Sequence, residues 1–327
     1  MGKYLLRRLA NYAVLLFVAV TFAYFLAATQ LHPRQLFEMR NPPMDPNSID
    51  NILYAANVND KTPVLQRYVT WLGNVFGHWN WGTSPKGGSV NEEVSRRMWV
   101  SLRLMLPGWL LGVVLGVAIG AYTATKQYKV SDRVATAFTL FLIATPSFVL
   151  GTVVQILAIK FNKAVGSTVF YVSQEQTAGT TGFWNLLLDR AHHIILPTLV
   201  LTLLGLSSLS RLQRNLMLDS LGADYVRTAR AKGLRRSTAV VKHALRTALI
   251  PTGTYIAFQV SGLFLGATYT ERIFGYNGMG IYGVSTISGL DINGVVAVTA
   301  FGGVCYLVGA TLADIFVAIL DPRVRLS

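Results

Sequence analysis

Six stretches of the chain are apolar for long enough to cross a lipid bilayer, at roughly residues 9–31, 101–125, 134–159, 193–211, 249–270 and 294–320. A helix rises about 1.5 Å per residue, so about 20 apolar residues span a hydrocarbon core about 30 Å thick. Only helices and closed barrels satisfy every backbone polar group inside lipid. Long unbroken apolar runs are the helical signature. The sequence therefore predicts an all-α integral membrane protein with six transmembrane helices. Composition agrees: 13% of the 327 residues are charged and the mean hydropathy is +0.43, against about 25% charged in soluble domains.

The net charge of +14 would suggest nucleic acid in a soluble protein. In a membrane protein it marks the loops that stay inside. Placing the N-terminus inside puts Lys3, Arg7 and Arg8, the Lys126–Arg133 turn, the loop at 211–248 and the C-terminal arginines on the cytoplasmic side. Most of the acidic residues then fall outside. The expected topology is N-in and C-in, with membrane lipid as a partner and no nucleic acid. Lys3, Arg7 and Arg8 before the first apolar run also resemble a signal peptide. That run is longer than a signal's apolar region and no clear small-residue cleavage site follows, so the expectation is an uncleaved first span.

Three segments follow. Residues 1–31 form the N-terminal tail and first span. Residues 32–100 form a long first extracytoplasmic loop. Residues 101–327 form a five-span core that contains the loop 211–248. In the outer loop, Val64, Leu65, Tyr68, Trp71 and Leu72 recur at helical spacing, with Trp79, Trp81 and Trp99 beyond. Such a helix lies along the outer membrane surface. It serves either as a lid packed on the spans or as a dock for an external partner.

Several activities lack a basis in the sequence. The first five spans carry no ionisable residue near their centres, and Asp314 sits near the cytoplasmic end of the last. That disfavours an ion-coupled secondary transporter. Gln155 and Gln259 are the main long polar groups in spans; such groups are commonly interhelical hydrogen-bond partners, the alternative being contact with a solute. The segment Gly82–Ser89 has Gly88 where a phosphate loop needs lysine. His192 and His193 are adjacent, and neighbours on a helix diverge, so no metal site is expected. The lone Cys305 decides nothing about redox compartment. Gly112, Gly116 and Gly120 repeat every fourth residue, as do Gly262 and Gly266. This spacing lets helices approach closely, within the chain or against a second membrane subunit.

The loop 211–248 is the informative one. Its first part continues the fourth span, and Gly222 interrupts. Asp224 is placed to cap a short helix, and Gly233 suits a left-handed residue that ends it. Thr228, Ala229 and Ala231 are small and let another protein come near. A basic helix is expected from about Ser237 to Arg246. An ordinary lipid-gripping loop explains the arginines but not a capped short helix with a glycine stop. A scaffold or assembly protein of the membrane is the rival reading of a different class.

Asp224-Tyr-Val-Arg-Thr-Ala-Arg-Ala-Lys-Gly-Leu234 closely resembles the cytoplasmic signature of B-type permeases in the peptide and nickel branch of ATP-binding-cassette importers. The resemblance extends through Arg7-Arg8, Thr145-Pro146-Ser147-Phe148, Ile195-Leu196-Pro197, Arg211-Leu-Gln-Arg214, Glu271-Arg-Ile-Phe274, Asp314 and Asp321-Pro-Arg-Val-Arg325. Departures lie on the outer side: Tyr276-Asn277-Gly278 replaces a Trp-Pro-Gly, and the segment 160–192 is enlarged. The resemblance implies a permease subunit of the bacterial cytoplasmic membrane, without enzyme activity of its own. It implies a second homologous permease subunit, two cytoplasmic ATPases and an extracytoplasmic solute-binding protein. Cofactors would be absent from this chain, with ATP and Mg²⁺ held by the ATPases. Asp224, Tyr225, Arg227, Thr228, Ala229, Arg230, Ala231, Lys232, Gly233 and Leu234 would form the ATPase-coupling element. Peptides are the implied cargo, with nickel complexes, haem or another small solute as alternatives.

Overall fold

A computed structural model describes residues 2–38, 41–42, 44–265 and 267–320. Gly266 and the Asp321–Arg325 motif lie outside these residues. Every regular element among them is helical, with one isolated antiparallel bridge between Thr83 and Ser89. Five helical segments are long and apolar enough to cross a membrane: Arg7–Glu38, Val90–Thr125, Ser147–Val165, Ile195–Gly222 and Ile292–Ile315. Large apolar side chains such as Val14, Phe22, Val114 and Leu157 stand exposed along them, as surfaces solvated by lipid require.

Two of the six expected runs take a different form. The third, 134–159, breaks at Thr145, leaving Val130–Ala144 and Ser147–Val165 as separate helices. Pro146 has no N–H to give the ladder and forces the residue before it toward extended backbone. Thr145 accordingly sits at φ −85°, ψ 120°. The fifth run is the helix Arg246–Leu265, entered through a π-helical turn at Val240–Leu245.

The chain divides into two compact units. The first comprises residues 1–101, 264–268 and 277–311. Its core packs the outer-loop helix Val64–His78 on the first span through aromatic rings. Tyr24 meets Trp71 at 5.1 Å and Tyr68 at 5.2 Å between centroids. The expected amphipathic face holds for Tyr68 and Trp71, which are buried, but Leu65 is exposed. Val75 takes its place inside, along with the buried Arg67, whose Nη1 donates to the Val58 carbonyl. The 82–89 segment is a turn pinned by Asn293, whose Nδ2 donates to the carbonyls of Ala56 and Thr83.

The second unit comprises residues 102–263, 269–276 and 312–327. In one seam of this unit Val90–Thr125 meets Ile195–Gly222, and glycine sets the separation. A Cβ on Gly120 would stand 2.4 Å from the Ser210 carbonyl oxygen, and one on Gly112 would stand 3.3 Å from the Gly205 Cα. The glycine repeat at 112–120 therefore serves packing within the chain. Gly262 differs, because a Cβ there would meet nothing within 4 Å.

Substituting Gly120→Ala forces backbone apart and is expected to destabilise the protein by about 1–3 kcal/mol, the usual cost of overpacking. Gly262→Ala should leave stability near that of the parent. Thermal unfolding of the purified protein in detergent distinguishes them.

Candidate functional site

The fourth span helix, Ile195–Gly222, runs without interruption to the loop and stops at Ala223, which is extended at φ −74°, ψ 147°. The break thus falls one residue after the expected Gly222. A new helix, Asp224–Ala231, begins at once. Asp224 does not cap it. Ala223 occupies the cap position, no side chain bonds there, and the Asp224 carboxylate lies one residue too late. It stands in the first turn, 3.7 Å from the Arg227 guanidinium. In that position it complements the positive end of the helix dipole rather than bonding an N–H.

The C-terminal stop is as expected. Gly233 adopts φ +90°, and the Leu234 N–H donates to the Ala229 carbonyl at 3.3 Å while the Gly233 N–H donates to the Arg230 carbonyl at 3.0 Å. These two bonds form the Schellman motif that needs a left-handed residue, where glycine carries no Cβ penalty.

Helical spacing then sorts the signature into two faces. Val226 and Ala229 are buried on Met217, Ala239, Ala244 and Ala248, with Leu234 packed beside them. The small size of Ala229 therefore serves this chain's own core and not an outside surface. Tyr225, Arg227, Thr228, Arg230, Ala231 and Lys232 point outward. Beyond them, Arg236–Ala239 leads through the π-helical turn into Arg246–Leu265, so the expected basic helix is continuous with the next span.

Two contacts tie the ends of this loop to the spans. Arg214 grips Asp132 with two parallel bonds, Nε to Oδ1 at 2.7 Å and Nη2 to Oδ2 at 2.9 Å. The Tyr128 N–H donates to the same carboxylate at 2.9 Å. The Arg214 guanidinium, reinforced by that N–H, holds the Asp132 carboxyl below its ordinary pKa despite its burial. The Thr252 hydroxyl donates to Gln213 Oε1 at 2.6 Å in a buried bond, joining the helix that enters the loop to the helix that leaves it. Asp132 was not singled out from the sequence. Eighty-two residues separate it from Arg214, and its only local signal is an acid at the head of an apolar run among Lys126, Lys129 and Arg133.

The two histidines have different surroundings. His193 is buried with Nδ1 2.8 Å from the Asp189 carbonyl oxygen, and Tyr171 packs on its ring at 4.3 Å, while His192 is exposed.

These features define a multi-pass membrane protein with a short, rigidly framed helix between its fourth and fifth apolar runs. The chain belongs to the family described as the binding-protein-dependent transport system inner membrane component, which it matches over residues 112–326. It is thus an inner-membrane permease subunit of an ATP-binding-cassette importer. It is 44% identical to the oligopeptide transport system permease protein OppB of Mycobacterium tuberculosis over the whole of both chains. It is also 33% identical to the dipeptide transport system permease protein DppB of Lactococcus lactis, again over both whole chains. With the oligopeptide transport system permease protein AppB of Bacillus subtilis it shares 32% identity, over 99% of this chain and 100% of that one.

Removing Asp132 (Asp132→Ala) should destabilise the protein by more than the about 1 kcal/mol of an exposed pair. It should approach the about 3–5 kcal/mol of a buried pair that loses one partner. Asp132→Ala combined with Arg214→Ala should cost clearly less than the sum of the two, because no uncompensated guanidinium is left behind. A double-mutant cycle on unfolding midpoints in detergent measures this.

Proposed function

We propose that the chain carries peptides inward across the cytoplasmic membrane by alternating access, driven by partner ATPases that dock on the helix Asp224–Ala231. The observation that carries this reading is the division of that helix into two faces. Eight residues make a rod only about 12 Å long, too short to persist alone in water. Here its inner face is locked by Val226 and Ala229, its end by the Gly233 turn and its root by Asp132–Arg214. A displacement imposed on the outer face of such a closely packed element passes to the spans instead of being absorbed locally.

In this reading Tyr225, Arg227, Thr228, Arg230, Ala231 and Lys232 meet a groove on an ATPase. Gly233 and Leu234 hold the helix in the presenting orientation, Ala229 seats it, and Asp224 steadies its first turn. ATP and Mg²⁺ belong to two cytoplasmic ATPases, and this chain contributes no catalytic residue. Closure of the ATPase pair draws this loop toward its counterpart on a second, homologous permease subunit and opens the path outward. Hydrolysis resets it. An extracytoplasmic solute-binding protein delivers the cargo. The relatives named for oligopeptide and dipeptide transport favour peptides over nickel complexes or haem.

Two measurements test this. The purified complex should contain ATPases, and hydrolysis should rise when a binding protein and peptide are added; a complex without any ATPase overturns the reading. Gly233→Val places a β-branched residue at φ +90°, at a cost of about 1–2 kcal/mol. It should reduce peptide uptake severalfold and uncouple hydrolysis from peptide while the protein still inserts. Unchanged uptake and unchanged stimulation would remove the coupling role.

A further inference from the structure

The structure treats its two intramembrane glutamines differently. Gln155, in Ser147–Val165, donates from Nε2 to the Val172 carbonyl at 2.8 Å and the Ile273 carbonyl at 3.2 Å. Its amide stitches the chain to itself. Gln259 makes no hydrogen bond among the described residues. It lies thirteen residues beyond Arg246 on the helix Arg246–Leu265, about 20 Å along the axis. At that depth lipid offers an amide nothing to bond, and each polar group left unpaired costs on the order of 1–3 kcal/mol.

Gln259 borders an open groove of about 380 Å³ within the second unit. That volume lies in the range of small-ligand sites, about 300–1,000 Å³. Met105, Trp109, Leu204 and Phe258 wall it, with Gly205 and Gly262 among its lining. The Trp109 indole nitrogen is buried without a partner among the described residues, whereas Gln259 is only partly buried. Gly262 is not small for the sake of internal packing, since a Cβ there meets nothing within 4 Å. Its missing side chain instead keeps the groove wide.

We propose that this groove is a stretch of the translocation path that holds the passing peptide by its backbone. The proposal rests on the peptide reading above. A primary amide matches a peptide unit, because it donates to a carbonyl and accepts from an N–H. Gln259 supplies both. The wall carries no charge, and Met105 is a flexible side chain that fits varied shapes. Recognition of this kind reads the backbone and ignores the side chains. It suits a path that lies behind an external protein responsible for selection.

The test uses the complete transporter, with its partner subunits, in lipid vesicles. The unsubstituted complex must first take up a dye-labelled tripeptide with ATP; failure at that stage overturns the peptide reading itself. Given uptake, benzoylphenylalanine is introduced at position 259 and irradiated during turnover. The expected product is a peptide adduct that requires ATP, with none from the same probe at position 155. An adduct only to the second permease subunit or only to lipid overturns the assignment. In parallel, Gln259→Leu should lower tripeptide uptake about tenfold. It should change uptake of a backbone N-methylated analogue, which lacks the N–H groups, far less. Equal losses for the two peptides overturn backbone recognition, whether or not the photoprobe variant folds.

Discussion

Inside a hydrocarbon layer, a backbone N–H or C=O has no partner except one supplied by the protein. Each apolar run of this chain must therefore be helical, and a helix that cannot continue must stop where something else takes over its bonds. Thr145-Pro146 shows the rule at work. Proline removes a donor, and the expected third span becomes two helices. With no hydrophobic effect to drive helices together in lipid, association falls to close packing and a few polar contacts. Those two means account for the second unit. Glycines at 108–120 bring one span against Ile195–Gly222, and Asp132–Arg214 and Gln213–Thr252 lock the same helix at its cytoplasmic end.

That helix is the mechanical axis of the proposed device. It passes from the glycine seam through two polar locks to the stop at Ala223, and the helix Asp224–Ala231 starts one residue later. Nothing slack intervenes. The next helix returns through Arg236–Ala239 and the π-helical turn, whose Ala244 and Ala239 form the seat under Val226 and Ala229. The outward residues are thereby presented by a frame made from both neighbouring spans. A surface loop of the same length would yield under load.

The polar groups in the spans and at their cytoplasmic ends divide in two. Gln155, Gln213 and Asp132 are each committed to this chain. Gln259 is not. It sits beside a groove lined by Gly205 and Gly262, in a helix that the loop 211–248 feeds directly. The proposed site of force input and the proposed contact with cargo thus share one continuous stretch of backbone.

Much of this was legible from residue order, because the physics involved is local. Apolar length demanded helices, the four-residue glycine repeat at 112–120 demanded a close seam, and Gly233 demanded a left-handed stop; each depends on a few neighbouring residues. The Asp224–Leu234 segment also carried its likeness to the importer family on its face. The sequence could not decide matters that depend on residues far apart. It assigned Asp224 a capping role that the extended geometry of Ala223 took over, and it placed Leu65 inward where Val75 and Arg67 are buried instead. It turned Ala229 toward a partner when the fold of the loop had turned it toward Met217. Asp132 meets Arg214 across 82 positions, and no local pattern pairs them. Gln155 and Gln259 were equivalent as letters. Only tertiary packing gave one of them two carbonyl partners and left the other facing a groove, because a hydrogen bond depends on which atoms the folded chain brings within about 3 Å.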